Sequence, residues 1–160
     1  EMETSSEDLA GQEQVRVFES VREAAEFLST TEGKILITTG SKELKEYTKI
    51  GNYQERCFAR VLSTKAAMEE SVRLGFEGKH LIAMQGPFSE EMNLALLHQT
   101  RARYFVTKES GKAGGFEEKL KAAKKAGAVL IVIGRPQERG RSVQEVCHFI
   151  ESNFGKKEQE

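Results

Sequence analysis

Five nearly continuous apolar runs divide the chain: ILITT at 35–39, CFARVL at 57–62, LIAMQ at 81–85, YFVTK at 104–108 and VLIVI at 129–133. Apolar and polar positions do not alternate in them, so they predict strands covered on both faces. Helical spacing fills the intervals at 42–50, 64–74, 89–99, 116–126 and 142–154. In the fourth of these, Leu120, Ala123 and Ala126 fall on one face, lysines point outward and Gly127 stands at the C-cap position. In the third, Met92, Leu96 and Gln99 share one face and Leu94 and Leu97 another, the mixed pattern of a helix lying on a sheet. VRVF at 15–18 alternates like a short strand. Ser20, with Glu23 three residues on, is a capping-box signature opening the next helix. Strand and helix therefore repeat five times. The pattern predicts an α/β fold: a Rossmann-like open parallel sheet of about five strands with helices on both faces. The expected strand order is 2-1-3-4-5. Residues 1–14 are polar and read as a flexible linker, 15–155 as the domain and 156–160 as a polar tail.

The ends of the runs carry the chemistry, because in a parallel sheet they lie on one edge, where ligands bind. After the first run, Thr38 and Thr39 leave the core, Gly40 suits positive φ and Ser41 is placed to cap the next helix, whose N–H groups attract anions. An ordinary strand–turn–helix explains the same residues equally well. After the third run, Gln85 offers an amide, and Gly86 and Pro87 form a rigid turn that presents Phe88 beside a Ser89 cap. Glu90 and Glu91 follow in the favourable first turn. Phe88 either staples the helix to the sheet or lines the pocket of a flat ligand. After the fourth, Thr107 and Lys108 lead into ESGKAGGF, where Ser110 and Gly115 sit in a glycine-dense loop. Such a loop is either a close backbone approach to a ligand or a mobile surface segment. Its spacing fits neither a dinucleotide GxGxxG nor a phosphate-binding P-loop. After the fifth, Arg135 offers a bidentate contact to a carboxylate or phosphate, or is simply solvated before Pro136.

Charge sharpens this picture. The net charge is −1, but residues 1–32 hold −7 and the remainder +6. A mildly positive body favours an anionic small molecule and lacks the dense basic stripe of a nucleic-acid binder. No apolar run reaches the roughly 20 residues needed to span a bilayer, so no membrane partner is expected. Cys57 and Cys147 are too few and too far apart for a disulfide framework or zinc site, and the reducing cytoplasm is the expected compartment. His80, His98 and His148 have no metal-ligand spacing and read as packing or surface residues. No Ser–His–Asp, nucleophile-elbow or HExxH pattern occurs, so catalysis is expected to rest on a bound cofactor.

ILITTGSKEL at 35–44, FARVLST at 58–64, LIAMQGPFSEEMNLALL at 81–97, YFVTKESGKAGGFEEKL at 104–120 and VLIVIGRP at 129–136 together resemble the C-terminal half of the precorrin-6A reductase family, including its cobalt-precorrin-6A counterpart. The resemblance runs through about residues 15–137 in unbroken order. It implies hydride transfer from NADPH (or NADH) to one double bond of a tetrapyrrole corrin precursor in cobalamin biosynthesis. It also implies a second partner, an N-terminal α/β half with a glycine-rich nucleotide-binding loop, which is absent here; the chain opens where the linker would lie. By the match, Thr39, Gly40, Ser41, Gln85, Gly86, Pro87, Phe88, Ser89, Thr107, Lys108, Ser110 and Gly115 line the cleft, and this fragment alone is expected to be inactive.

The competing expectation is a non-catalytic flavodoxin-like ligand-binding or regulatory module. Its receiver form would need acidic residues after the first strand and an aspartate ending the third, where this chain has Thr39-Gly40-Ser41 and Gln85-Gly86-Pro87. An FMN carrier stays open, since TTGS offers a phosphate cradle.

Overall fold

A computed structural model describes residues 14–108 and 113–134. The chain forms β1 (Val15–Phe18), α1 (Val21–Leu28), β2 (Lys34–Ile37), a 3₁₀ helix (Leu44–Lys49), α2 (Tyr53–Arg56), β3 (Cys57–Val61) and α3 (Lys65–Arg73). A second 3₁₀ turn (Gly78–His80) leads to β4 (Leu81–Ala83), α4 (Glu90–Thr100), β5 (Ala102–Lys108), α5 (Ala113–Ala126) and β6 (Val129–Ile133). At the start of α1 Ser20 caps as the capping-box signature predicts, while the returning Glu23 contact falls one residue before the cap. Ser20 Oγ accepts from the Glu23 N–H at 3.1 Å, and the Glu23 carboxylate accepts from the Glu19 N–H at 3.2 Å. Val21, Ala24, Ala25 and Leu28, one helical stripe, are buried.

All pairings are parallel, and the order is β1-β6-β5-β2-β3-β4. This corrects the expectation in two respects. VRVF adds a sixth strand, with Val15 opposite Leu130 and Phe18 opposite Ile133. The five longer runs stand in the order 3-2-1-4-5, not 2-1-3-4-5. Burial gives the reason. Every residue of β3 is buried, so it needs a neighbour on each side, whereas all three residues of β4 are only half-buried and lead to Pro87, which has no N–H to donate to a further strand. The chain builds outward from β2 through β3 to β4, then crosses back to β5 and β6. The switch point thus lies between β2 and β5.

Alternation sorts side chains into two layers. Ile35, Ile37, Cys57, Ala59, Val61 and Val106 pack with Val21, Leu28, Leu44 and Tyr47 on one face. Leu36, Phe58, Phe105, Leu130 and Val132 pack beneath Leu97, Leu120 and Ala123 on the other. Each fully buried large side chain contributes roughly 1.5–3 kcal/mol, which is why both faces are covered.

The helix expected at 42–50 is instead the 3₁₀ helix Leu44–Lys49 and, after a break, α2. Glu43 at its start provides no side-chain cap, and Gly51 with Asn52 at φ 61° interrupts the run. α5 begins at Ala113, earlier than the expected 116, so part of the glycine-dense loop is helical. It ends at Gly127 as predicted, with the Ala128 N–H returning to the Ala123 carbonyl at 2.9 Å. The helix expected at 142–154, most of the linker and the tail lie outside the described residues.

Candidate functional site

Because the sheet is wholly parallel, the turns after β2, β3, β4 and β5 share one edge. At the switch point Thr38 prolongs β2, donating both its N–H and its hydroxyl to the Val106 carbonyl at 3.0 and 2.6 Å. Thr39 does not leave the core as expected. It is buried, and its hydroxyl shares a 2.9 Å hydrogen bond with the Tyr47 hydroxyl, whose ionisation is pushed up by loss of water. Gly40 follows at φ +92°, and nothing lies within 4 Å of where a Cβ would stand. Its backbone is open to a ligand. Ser41 does not cap through its side chain; its carbonyl accepts from Leu44 N–H at 3.3 Å. Across the switch point, Thr107 is fully buried and its hydroxyl accepts from Lys119 Nζ at 2.7 Å. Lys108 is half-exposed and pairs with Glu43.

A second cluster stands at the ends of β3 and β4. Arg60 is only 5% exposed. Its Nη1 donates to Asn93 Oδ1 at 2.7 Å, and its guanidinium carbon lies 3.7 Å from the centroid of the Phe88 ring, a cation–π stack. Burial pushes Arg60 down to about 10, so it is a cation at neutral pH. Asn93 is fully buried in the first turns of α4. The turn that carries Phe88 contains a cis Gly86–Pro87 peptide. A Cβ on Gly86 would stand 3.1 Å from the Phe88 ring, so glycine permits this approach. Gln85, Gly86, Pro87 and Ser89 are exposed, and Ser63 donates to Gln85 Oε1 at 3.3 Å. Ser89 caps α4 as predicted, accepting from Met92 N–H at 3.1 Å, with Glu90 and Glu91 in the first turn.

The register joins the two clusters. Ile37 stands opposite both Ala59 and Val106, so one residue further on Arg60, Thr38 and Thr107 lie level across three adjacent strands. They sit on the face that carries Phe58, Leu36 and Phe105 two residues below. An apolar layer thus gives way to a polar one at the margin. The helices that roof it, α4 and α5, pack on each other and supply Asn93 and Lys119. Arg60, Asn93 and Lys119 were not among the residues singled out from the sequence. An arginine inside the otherwise apolar CFARVL, and an asparagine in step with Leu97 and Thr100, were the available signals; Lys119 had none among its neighbouring lysines.

Thr39, Gln85 and Thr107 therefore share one edge, with Gln85–Ser89 two strands away from β2 and reached through Arg60. Gly115 is exposed in the first turn of α5, while Ser110 and Arg135 lie outside the described residues. His80 stacks on Phe58 at 4.3 Å and contacts the Cys57 carbonyl at 2.9 Å through Nδ1, and His98 is exposed. The buried Cys57 thiol is pushed up to about 12 by loss of water. Cys147 and His148 lie outside the described residues. Among the described residues no cluster of three or more His, Cys, Asp or Glu forms, and no helix is long and apolar enough to cross a membrane.

Residues 2–151 match the family described as precorrin-6x reductase CbiJ/CobK. The chain belongs to this family. The cobalt-precorrin-6A reductase of Priestia megaterium is 40% identical over 134 residues, which span 80% of this chain and 52% of that protein. That of Salmonella typhimurium is 38% identical over 117 residues, 73% of this chain and 44% of that protein. The one from Methanothermobacter thermautotrophicus reaches 48% over 83 residues, 52% of this chain and 28% of that protein. The chain thus spans about half the length of the first two of these relatives. A solved CobK precorrin-6A reductase shares the fold, with a TM-score of 0.56 over 79% of this chain and 48% of that one at 22% identity. At the strand ends of this parallel sheet, the margin of Thr38, Arg60 and Thr107 is the candidate site.

Proposed function

We propose that this chain is the substrate-holding half of a precorrin-6A or cobalt-precorrin-6A reductase, working with a glycine-rich nucleotide-binding half to move a hydride from NADPH or NADH to a double bond of a corrin precursor. Family membership supports the reaction class. The observation that carries the division of labour is the contrast at the strand ends. The described turn after β2 enters a 3₁₀ helix of six residues with no side-chain cap, and Lys108 is already paired with Glu43. These residues do not build a pyrophosphate cradle, so the dinucleotide is assigned to the other half.

The margin suits a broad plate fringed with acids. Phe88 offers a half-buried ring, and Leu62, just past β3, and Met92, in the first turn of α4, are exposed apolar groups at the same edge. Gly40, Gln85 and Ser89 present backbone and side-chain polar groups alongside. Thr39 contributes by its backbone, because its hydroxyl is spent on Tyr47. Lys108 and, outside the described residues, Ser110 and Arg135 complete the proposed lining. The reduced nicotinamide supplies the hydride; these residues orient the acceptor and keep water away, which removes roughly 7–11 kcal/mol of barrier in well-aligned systems.

The flavodoxin-like alternative loses its support, since the observed strand order is 3-2-1-4-5 and flavodoxins use 2-1-3-4-5. Calorimetric titration of the 160-residue chain with NADPH tests the division. Weak binding is expected; micromolar or tighter binding would overturn it.

A further inference from the structure

Arg60 is a buried cation whose contacts among the described residues include no carboxylate. It has five N–H donors, and one is spent on Asn93 Oδ1 while Phe88 covers one face of the plane. A guanidinium taken out of water without an anion is strongly unfavourable. Asn93 repeats the imbalance. Its side-chain Nδ2 is buried with no hydrogen-bond partner among the described residues. The amide orientation is not arbitrary, because Arg60 has only donors and Oδ1 must face it, which leaves Nδ2 as the orphan. Two groups on β3 and α4 therefore hold unspent donors side by side under the Phe88 ring.

We propose that Arg60 and Asn93 form a receptor for one carboxylate-bearing arm of the ligand, an acetate- or propionate-type group that enters under Phe88. The inference rests on the corrin reading above and names the group that reaches this point. Charge favours a carboxylate over a phosphate: Arg60 and Asn93 together carry a single positive charge, which one carboxylate neutralises and a phosphate dianion overshoots. Arg60 is 5% exposed and Asn93 wholly buried, so a contact here is made by a slender arm, with the body of the ligand outside. In-plane N–H groups are the ones a carboxylate engages, and Phe88 stacks on the face of the guanidinium rather than on those groups. The neighbouring acids do not fill the role. Glu90 pairs with Lys125, and Glu91 is exposed.

The test uses cobyrinic acid, a corrin with free carboxylates, and cobinamide, which carries carboxamides in their place. Binding to the whole chain is measured by absorbance titration beside thermal melts. The wild-type chain is expected to prefer the acid by about tenfold to a hundredfold, the range of a charge-assisted hydrogen bond. Arg60→Gln erases the preference. Asn93→Asp supplies a built-in carboxylate, so it also erases the preference while raising the melting temperature. Lys79→Gln, an exposed charge change of equal size, leaves the preference intact. An Asn93→Asp chain that keeps the preference would show the pair to be structural only and overturn the proposal. So would an Arg60→Gln chain that loses NADPH affinity and keeps acid affinity, since the anion would then be a cofactor phosphate. Equal binding of acid and amide by the wild type refutes the receptor and leaves the corrin reading standing; binding of neither refutes both.

Discussion

Thr39 and Tyr47 give the sharpest test of how the switch point is built. Their hydroxyls meet at 2.9 Å, both residues are buried, and burial holds Tyr47 neutral, so this is a neutral hydrogen bond sealed from water. Thr39→Val keeps the side-chain shape and orphans the Tyr47 hydroxyl; Tyr47→Phe orphans Thr39. Each single change is expected to cost about 1–3 kcal/mol, whereas the double variant, which removes both polar groups, costs much less than their sum. The coupling energy is then about 1 kcal/mol or more, above the roughly 0.5 kcal/mol scatter seen for independent sites. Urea denaturation of the four proteins measures it. In thermal melts each kcal/mol appears as about 2–4 °C for a domain of this size. Thr39→Val is also expected to leave ligand affinity unchanged, because only the Thr39 backbone faces the margin. Additive single effects, or a Thr39→Val chain of full stability and poor ligand affinity, would refute this account.

Three further outcomes follow from the same geometry. Lys108→Ala breaks a half-exposed pair with Glu43 and is expected to change stability by less than about 1 kcal/mol while weakening ligand binding in a complete two-half enzyme; unchanged affinity there would remove Lys108 from the site. Arg56→Ala, at the opposite edge, deletes bonds to the Gly33 and Leu28 carbonyls and to Thr31 Oγ1 at 2.8, 3.2 and 3.0 Å, and is expected to cost about 1–3 kcal/mol in denaturant titrations with ligand affinity intact. Cys57 sets an alkaline limit. Loss of water on folding pushes its thiol from 9.0 up to about 12, so the unfolded state holds fewer protons in between and stability falls as pH rises through that window. The slope is at most about 1.4 kcal/mol per pH unit for one group. Cys57→Ala flattens it in melts from pH 8 upward, and an unchanged slope would show that Cys57 does not contribute.

Much of the fold was legible in the chain because burial leaves a local trace. Unbroken Ile, Leu and Val runs mark strands covered on both faces, Ser20 with Glu23 and Ser89 with its acids mark helix starts, and parallel strands necessarily gather their ends at one edge. Where the local trace is weak, composition and structure part. Lys42–Ile50 has helical composition, yet Gly51 and Asn52 and the missing cap leave only a 3₁₀ turn. Lateral order and side-chain partnership leave no local trace at all. The place of β2 beside β5 depends on which strands are buried on both flanks, and the pairs Lys108–Glu43 and Arg60–Asn93 join residues 65 and 33 positions apart. Tertiary structure alone turned Lys108 toward Glu43, set Lys119 beneath Thr107 and enclosed Arg60 with Asn93. The pattern of apolar residues determines which side of each element meets the core; which charges meet across the sheet is decided only when strands take their neighbours.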